Sequence, residues 1–128
     1  MNTHTIHLGL VAILGCYLLF VAPAWSHGVD DRHSDSIELT LDPDDVYELC
    51  LELTPDQLLR YAFSASNKLG FNIHYHENNE VRYPVVEHQT SAVEATFAPD
   101  SEQEYCLMWT NGGAAEVVLS LQYVTGQR

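Results

Sequence analysis

Phe71-Asn72-Ile73-His74-Tyr75-His76 alternates without a break: Phe71, Ile73 and Tyr75 are apolar or aromatic, and Asn72, His74 and His76 are polar. Successive strand side chains point to opposite faces, so this pattern predicts a half-buried β-strand with one core face and one wet face. The same period continues on both sides. Downstream, Glu77-Asn78-Asn79-Glu80 reads as a hairpin-like turn and Val81 to Val86 as a short strand, whose Pro84 suggests a sheet edge. Thr90 to Phe97 alternates loosely, with Ala95 and Phe97 turned inward, and Ala98-Pro99-Asp100 turns the chain. Tyr105, Leu107 and Trp109 alternate with Cys106 and Met108; Asn111-Gly112-Gly113 is a strong turn signal; Val117, Leu119, Leu121 and Tyr123 share one face of a last strand. Upstream, Ile37 to Leu41 and Val46 to Leu53 flank the turn cluster Asp42-Pro43-Asp44-Asp45. In the second of these strands Tyr47, Leu49, Leu51 and Leu53 share one face, and Glu48, Cys50 and Glu52 the other.

One segment reads two ways. Thr54, Pro55 and Gln57 fit the N-cap, N1 and N3 positions of a capping box, with Gly70 placed to end a helix. Yet Leu59, Tyr61, Phe63 and Ala65 alternate with Arg60, Ser64 and Ser66, as in a strand. Periodicity leaves residues 55–69 open between the two. Seven to eight short strands separated by turn signals predict an all-β fold, a small antiparallel β-sandwich over residues 37–128, preceded by a flexible leader at 27–36.

Charge and composition narrow the function. Among 128 residues, five are basic and eighteen acidic, giving a formal charge of −13. That balance argues against nucleic acid and against an anionic membrane surface as partners. It leaves a basic protein, a cation, or solubility alone. The acids begin at Asp30, and no Asp, Glu, Lys or Arg precedes it. Ile6 to Val21 is almost wholly apolar, with Ala24 and Ser26 as small residues beyond it. Residues 1–26 therefore read as a secretory signal peptide, and the chain as exported and periplasmic, although the first five residues lack Lys and Arg. The alternatives are an uncleaved N-terminal anchor, or lipidation at Cys16 within Ile13-Leu14-Gly15-Cys16, which looks like a lipobox.

Cys50 and Cys106 are the two cysteines that remain after residue 26. In an oxidising compartment a disulfide is the expected outcome; metal thiolates or a redox pair are the alternatives, without a Cys-x-x-Cys to support them. His74 and His76 would present two imidazoles roughly 7 Å apart on one strand face, a spacing that can hold one zinc or copper ion. His88 and Met108 are the candidate third ligands, the thioether of Met108 suiting Cu(I). The plainer reading of the two histidines is a solvated strand face beside an acidic turn. If cleavage falls after Ser26, the amine and imidazole of His27 could chelate copper together. No G-x-S-x-G, H-E-x-x-H or glycine-rich phosphate loop occurs, and the string begun by His76-Glu77 continues as Asn78-Asn79-Glu80, which is not a zincin motif.

Two stretches resemble GOLD-type β-sandwich domains, known as lumenal domains of secretory-pathway cargo receptors. Leu49-Cys50-Leu51-Glu52 through Leu59-Arg60-Tyr61-Ala62-Phe63 looks like that family's first cysteine strand and its successor. Glu104-Tyr105-Cys106-Leu107-Met108-Trp109-Thr110-Asn111 looks like its tyrosine, cysteine, aromatic and asparagine strand, with Phe71 to His76 as the intervening strand. The resemblance implies a disulfide between Cys50 and Cys106 and favours a strand over a helix at 55–69. It lacks the family's coiled coil, C-terminal span and sorting tail, and looks more like a bacterial, periplasmic, single-domain relative. Three functions stay open: a non-enzymatic binding or structural module for another envelope protein, a copper or zinc binding protein using His74 and His76, and a small hydrolase of unknown type.

Overall fold

The computed structural model describes residues 34–128. The stretch read as a signal peptide, Cys16, His27 and most of the stretch read as leader lie outside the described residues. Six antiparallel strands make up the fold: β1 (Ser34–Leu41), β2 (Val46–Leu53), β3 (Gln57–Glu77), β4 (Glu80–Phe97), β5 (Gln103–Thr110) and β6 (Val117–Gln127). The all-β antiparallel reading therefore holds, and β1 starts at Ser34, three residues inside the stretch read as leader. Eight sequence segments become six strands because β3 and β4 each carry two of them.

β3 explains this merger. Its first half, from Gln57 to Ala65, pairs with β6, while Gly70 to His74 pairs with β5. β4 follows β3 along almost the whole hairpin. One long sheet thus folds over itself into two layers, β1-β6-β3-β4 and β2-β5-β3-β4, joined through β3 and β4. The bend falls where register jumps between Ser64 and Leu69. There β3 has extra residues, among them the exposed Ser66, Asn67 and Lys68, which a core could not accept.

The capping-box residues at 54–57 close a turn and start no helix. The Thr54 amide donates to Gln57 Oε1, and the Gln57 amide to the Thr54 carbonyl, each at 3.0 Å. Burial of Leu59, Tyr61 and Phe63 on one face then decides for strand. The β3–β4 hairpin turns on Asn78 and Asn79 at φ 51° and 63°, the positive angles that a two-residue type I′ turn requires and that asparagine tolerates.

Asn111-Gly112-Gly113 does turn the chain, but not as a hairpin. β5 and β6 belong to different layers, so this connection crosses the sandwich, as does the one between β1 and β2. Asn111 ties both crossovers together. Its Nδ2 donates to the Leu41 carbonyl at 3.0 Å and the Ala115 carbonyl at 2.8 Å, and its Oδ1 accepts from the Gly113 amide at 3.0 Å. Its backbone exchanges bonds with the Asp42–Asp45 turn: the Asp44 amide donates to its carbonyl at 2.8 Å, and its amide donates to Asp45 at 3.0 Å.

Between the layers sits one apolar core. Trp109 is its centre, packed edge-on against Phe63 at 5.5 Å and beside Phe71 at 5.4 Å and Tyr47 at 5.9 Å between ring centroids. Leu59, Leu69, Ile73, Leu107, Leu119 and Leu121 are among its other members. Every one of these is the inward residue of an alternating pair, which is what a two-layer antiparallel fold demands.

Candidate functional site

Cys50 and Cys106 face each other directly in the β2–β5 ladder and are joined by a disulfide, with Cα atoms 4.0 Å apart. His74 is the next residue in the same row, paired with Cys106 from the β3 side. The row beside it runs Asn72, Met108, Glu48, and β2 and β5 also pair Glu52 with Glu104. The outer face of the second layer is thus a disulfide surrounded by carboxylates, an amide, a thioether and imidazole.

The alternation that marks His74 as wet does not describe its environment, because His74 is only 5 % exposed. The cause lies in β4. Register shifts opposite Phe71, Ile73 and Tyr75 twist β4 near Pro84, and the Tyr83 ring comes to lie 5.8 Å from the His74 ring. The His76 ring stands edge-on at 5.5 Å from His74 on its other side and is itself exposed. His74 Nδ1 lies 2.9 Å from Asn72 Oδ1, and Nε2 lies 3.6 Å from Glu48 Oε1. The fully buried Asn72 donates from Nδ2 to Glu87 Oε2 at 3.5 Å.

His74, His76 and Met108 therefore share one face, whereas His88 does not join them. His88 is paired with Phe71, sets its ring against the Phe71 ring at 5.8 Å, and bonds the Val86 carbonyl through Nδ1 at 3.0 Å. Among the described residues, the one group of three His, Cys, Asp or Glu donor atoms within 4.8 Å of one another is Cys50, Glu104 and Cys106. Its sulfurs are spent in the disulfide, so it offers no thiolate. Glu48, Asn72 and Glu87 were not candidates on sequence grounds. Glu48 was reachable in principle, since it lies two residues from Cys50 and so shares its face.

The other layer carries a second feature. A groove of 880 Å³ crosses β1, β6, β3 and β4, lined among others by Ser34, Ser36, Arg60, Ala62, Glu94 and Gln122. A smaller one of 440 Å³ shares Ala62, Glu94 and Gln122 with it and continues past Ser64, Ala92 and Ser120. Residues of even number in β3 and β6 face away from the core here, and Ala62, Ser64 and Ser120 among them are small. Neither a histidine nor a cysteine lines either groove. Sequence reading missed this surface because small polar residues on a wet strand face carry no signal of their own.

No protein-family model and no curated protein sequence matches the chain. Solved structures do align with it. PliG from Aeromonas hydrophila, a periplasmic inhibitor of g-type lysozyme, aligns with a TM-score of 0.55 at 13 % identity, over 77 % of this chain and 89 % of that one. A CBM4 structure aligns with a TM-score of 0.42 at 15 % identity, over 73 % of this chain and 84 % of the other. A protein of the disulfide-linked pili of Bacillus endospore appendages gives 0.41 at 9 % identity, over 78 % and 91 %. The chain is an all-β sandwich of the fold that PliG also adopts.

Proposed function

We propose that the chain is an exported, non-enzymatic module that binds another protein of the cell envelope through the groove of its first layer. The groove is the observation that carries this reading. A trough of 880 Å³ floored by Ser34, Ser36 and Ala62, with Arg60 and Glu94 supplying both signs of charge, suits a projecting loop of a protein partner. The fold of PliG, a periplasmic lysozyme inhibitor, supports the same class of role, and makes g-type lysozyme the first purified partner to assay. A formal charge of −13 favours a basic partner and a fast, salt-sensitive encounter. Export is supported by the apolar stretch from Ile6 to Val21 and by the Cys50–Cys106 bond. The GOLD-type resemblance remains our family-level reading, carried by the two cysteine strands.

The test is photo-crosslinking in the producing cell, with a photoreactive residue at Ala62 in the groove or at Ala92 in its smaller continuation, and at Glu52 on the other layer as control. A discrete adduct from Ala62 and Ala92, absent from Glu52 and abolished at Ala92 by Ala62→Trp, is the expected result. Adducts no stronger from the groove than from Glu52 refute it.

A further inference from the structure

The hydrogen bonds around His74 fix its proton. A carboxylate accepts and does not donate, so Glu87 holds the amide NH₂ of Asn72 and turns Asn72 Oδ1 toward His74. That oxygen is an acceptor too, and it requires a proton on His74 Nδ1. With Nδ1 protonated, the lone pair of a neutral ring is on Nε2. Nε2 faces Glu48 Oε1 at 3.6 Å. Two acceptors pointed at each other repel unless a proton or a metal cation lies between them.

The separation indicates which cation. It exceeds the roughly 2.7–3.2 Å of an N–H···O hydrogen bond. Two ligands each about 2.0–2.1 Å from a tetrahedral zinc ion stand about 3.4 Å apart, close to what is seen. A buried imidazole whose other nitrogen is held by a hydrogen-bonded partner is also the usual state of a metal-ligating histidine.

We propose that His74 Nε2, the Glu48 carboxylate and His76 bind a divalent ion of the zinc class, with Asn72 and Glu87 orienting His74. His76 is exposed beside His74 and is free to rotate a ring nitrogen toward the ion. The fourth position is open to water. Met108 stands in register between Asn72 and Glu48, outside the ligand set. Gly70 lies beside the same carboxylate: a Cβ there would lie 3.2 Å from Glu87 Oε1 and 3.1 Å from Gln89 Nε2. The site is on the layer opposite the groove and does not depend on the groove being a binding surface.

The test is calorimetric titration of the full chain with Zn²⁺, alongside nitrogen NMR of the histidine rings. Expected results are one Zn²⁺ per chain, a Nδ1–H tautomer at His74, and a shift of its Nε2 resonance on saturation. Glu48→Gln and His76→Ala each weaken binding at least tenfold. Asn72→Ala, which removes no ligand, weakens it within the 10- to 100-fold range typical of lost orienting partners. Glu48 is on the surface, so Glu48→Gln tests the site even if His74→Ala does not fold. Zinc bound equally by native, Glu48→Gln and His76→Ala chains, or a His74 Nε2 that carries a proton and ignores zinc, overturns the proposal.

Discussion

Asn111 holds one end of the sandwich closed, and replacing it should be among the most damaging single changes available. Asn111→Ala removes three side-chain hydrogen bonds at once. The two part-buried bonds, to the Ala115 carbonyl and from the Gly113 amide, contribute about 1 kcal/mol each. The third leaves the Leu41 carbonyl buried without its donor, a loss of about 1–3 kcal/mol. The backbone bonds between Asn111 and the Asp42–Asp45 turn survive the substitution, so they keep the chain in place and prevent the stranded carbonyl from relaxing toward water. The total is about 3–5 kcal/mol, a large share of a small domain's stability. Urea unfolding followed by Trp109 fluorescence reads it directly; with an m-value of about 1.5 kcal/mol per molar, the midpoint falls by about 2–3 M. Asn111→Asp separates hydrogen bonding from volume. It keeps the shape and the acceptor for Gly113, but aims a carboxylate at two carbonyl oxygens. It should destabilise at least as much as alanine. A loss below 1 kcal/mol for alanine, or an aspartate variant near the native midpoint, refutes the reasoning.

Two further outcomes follow from the same structure. The Cys50–Cys106 bond spans 56 residues, so its loss in Cys50→Ser/Cys106→Ser should lower stability by about 4 kcal/mol in the chain-entropy account; an equilibrium unfolding difference under 1 kcal/mol contradicts it. On the alkaline side, burial pushes the Tyr61 hydroxyl above its ordinary value of 10.0, and Tyr123 is raised by burial and then by the Asp35 carboxylate and Tyr47. The folded state favours the neutral phenols, so their contribution is complete below pH 10 and is lost as pH rises through the folded values. Phenolate absorbance should show a late-titrating class coincident with unfolding, and Tyr61→Phe should move that unfolding to higher pH; all tyrosines ionising together near the ordinary value would contradict this.

The sequence carries much of this fold because burial and period coincide. Phe71, Ile73 and Tyr75 face the core as their alternation predicts, and Leu119, Leu121 and Tyr123 do the same on β6. Pairing was less legible. Nothing in Asn111-Gly112-Gly113 tells a hairpin from a crossover, since both need a tight turn, and what decides is the distant Leu41 carbonyl. The capping-box residues at 54–57 make the same local bonds whether a helix or a strand follows. His74 shows the limit most plainly. Its position gives its face, but its burial depends on a bend in β4 that rotates Tyr83 over it. The approach of Glu48 likewise depends on β3 and β2 both pairing with β5.

Both proposed surfaces draw on β3, and its period keeps them from competing with the core. Leu59, Tyr61, Phe63 and Ala65, then Leu69, Phe71, Ile73 and Tyr75, pack inward. The even positions are left for the two outer faces: Arg60, Ala62 and Ser64 toward the groove, Gly70, Asn72, His74 and His76 toward the disulfide. The bend at residues 65–68 lets one strand serve both layers without a shift in parity. The two faces still differ in what substitution does to them. Arg60 and Ser64 are exposed, so changes there should alter binding and leave stability nearly unchanged. Asn72 and His74 are buried and bonded to each other, so changes there disturb packing as well as any bound ion. For this reason the exposed members of that constellation, Glu48 and His76, separate a ligand's role from a structural one, and the buried pair alone does not.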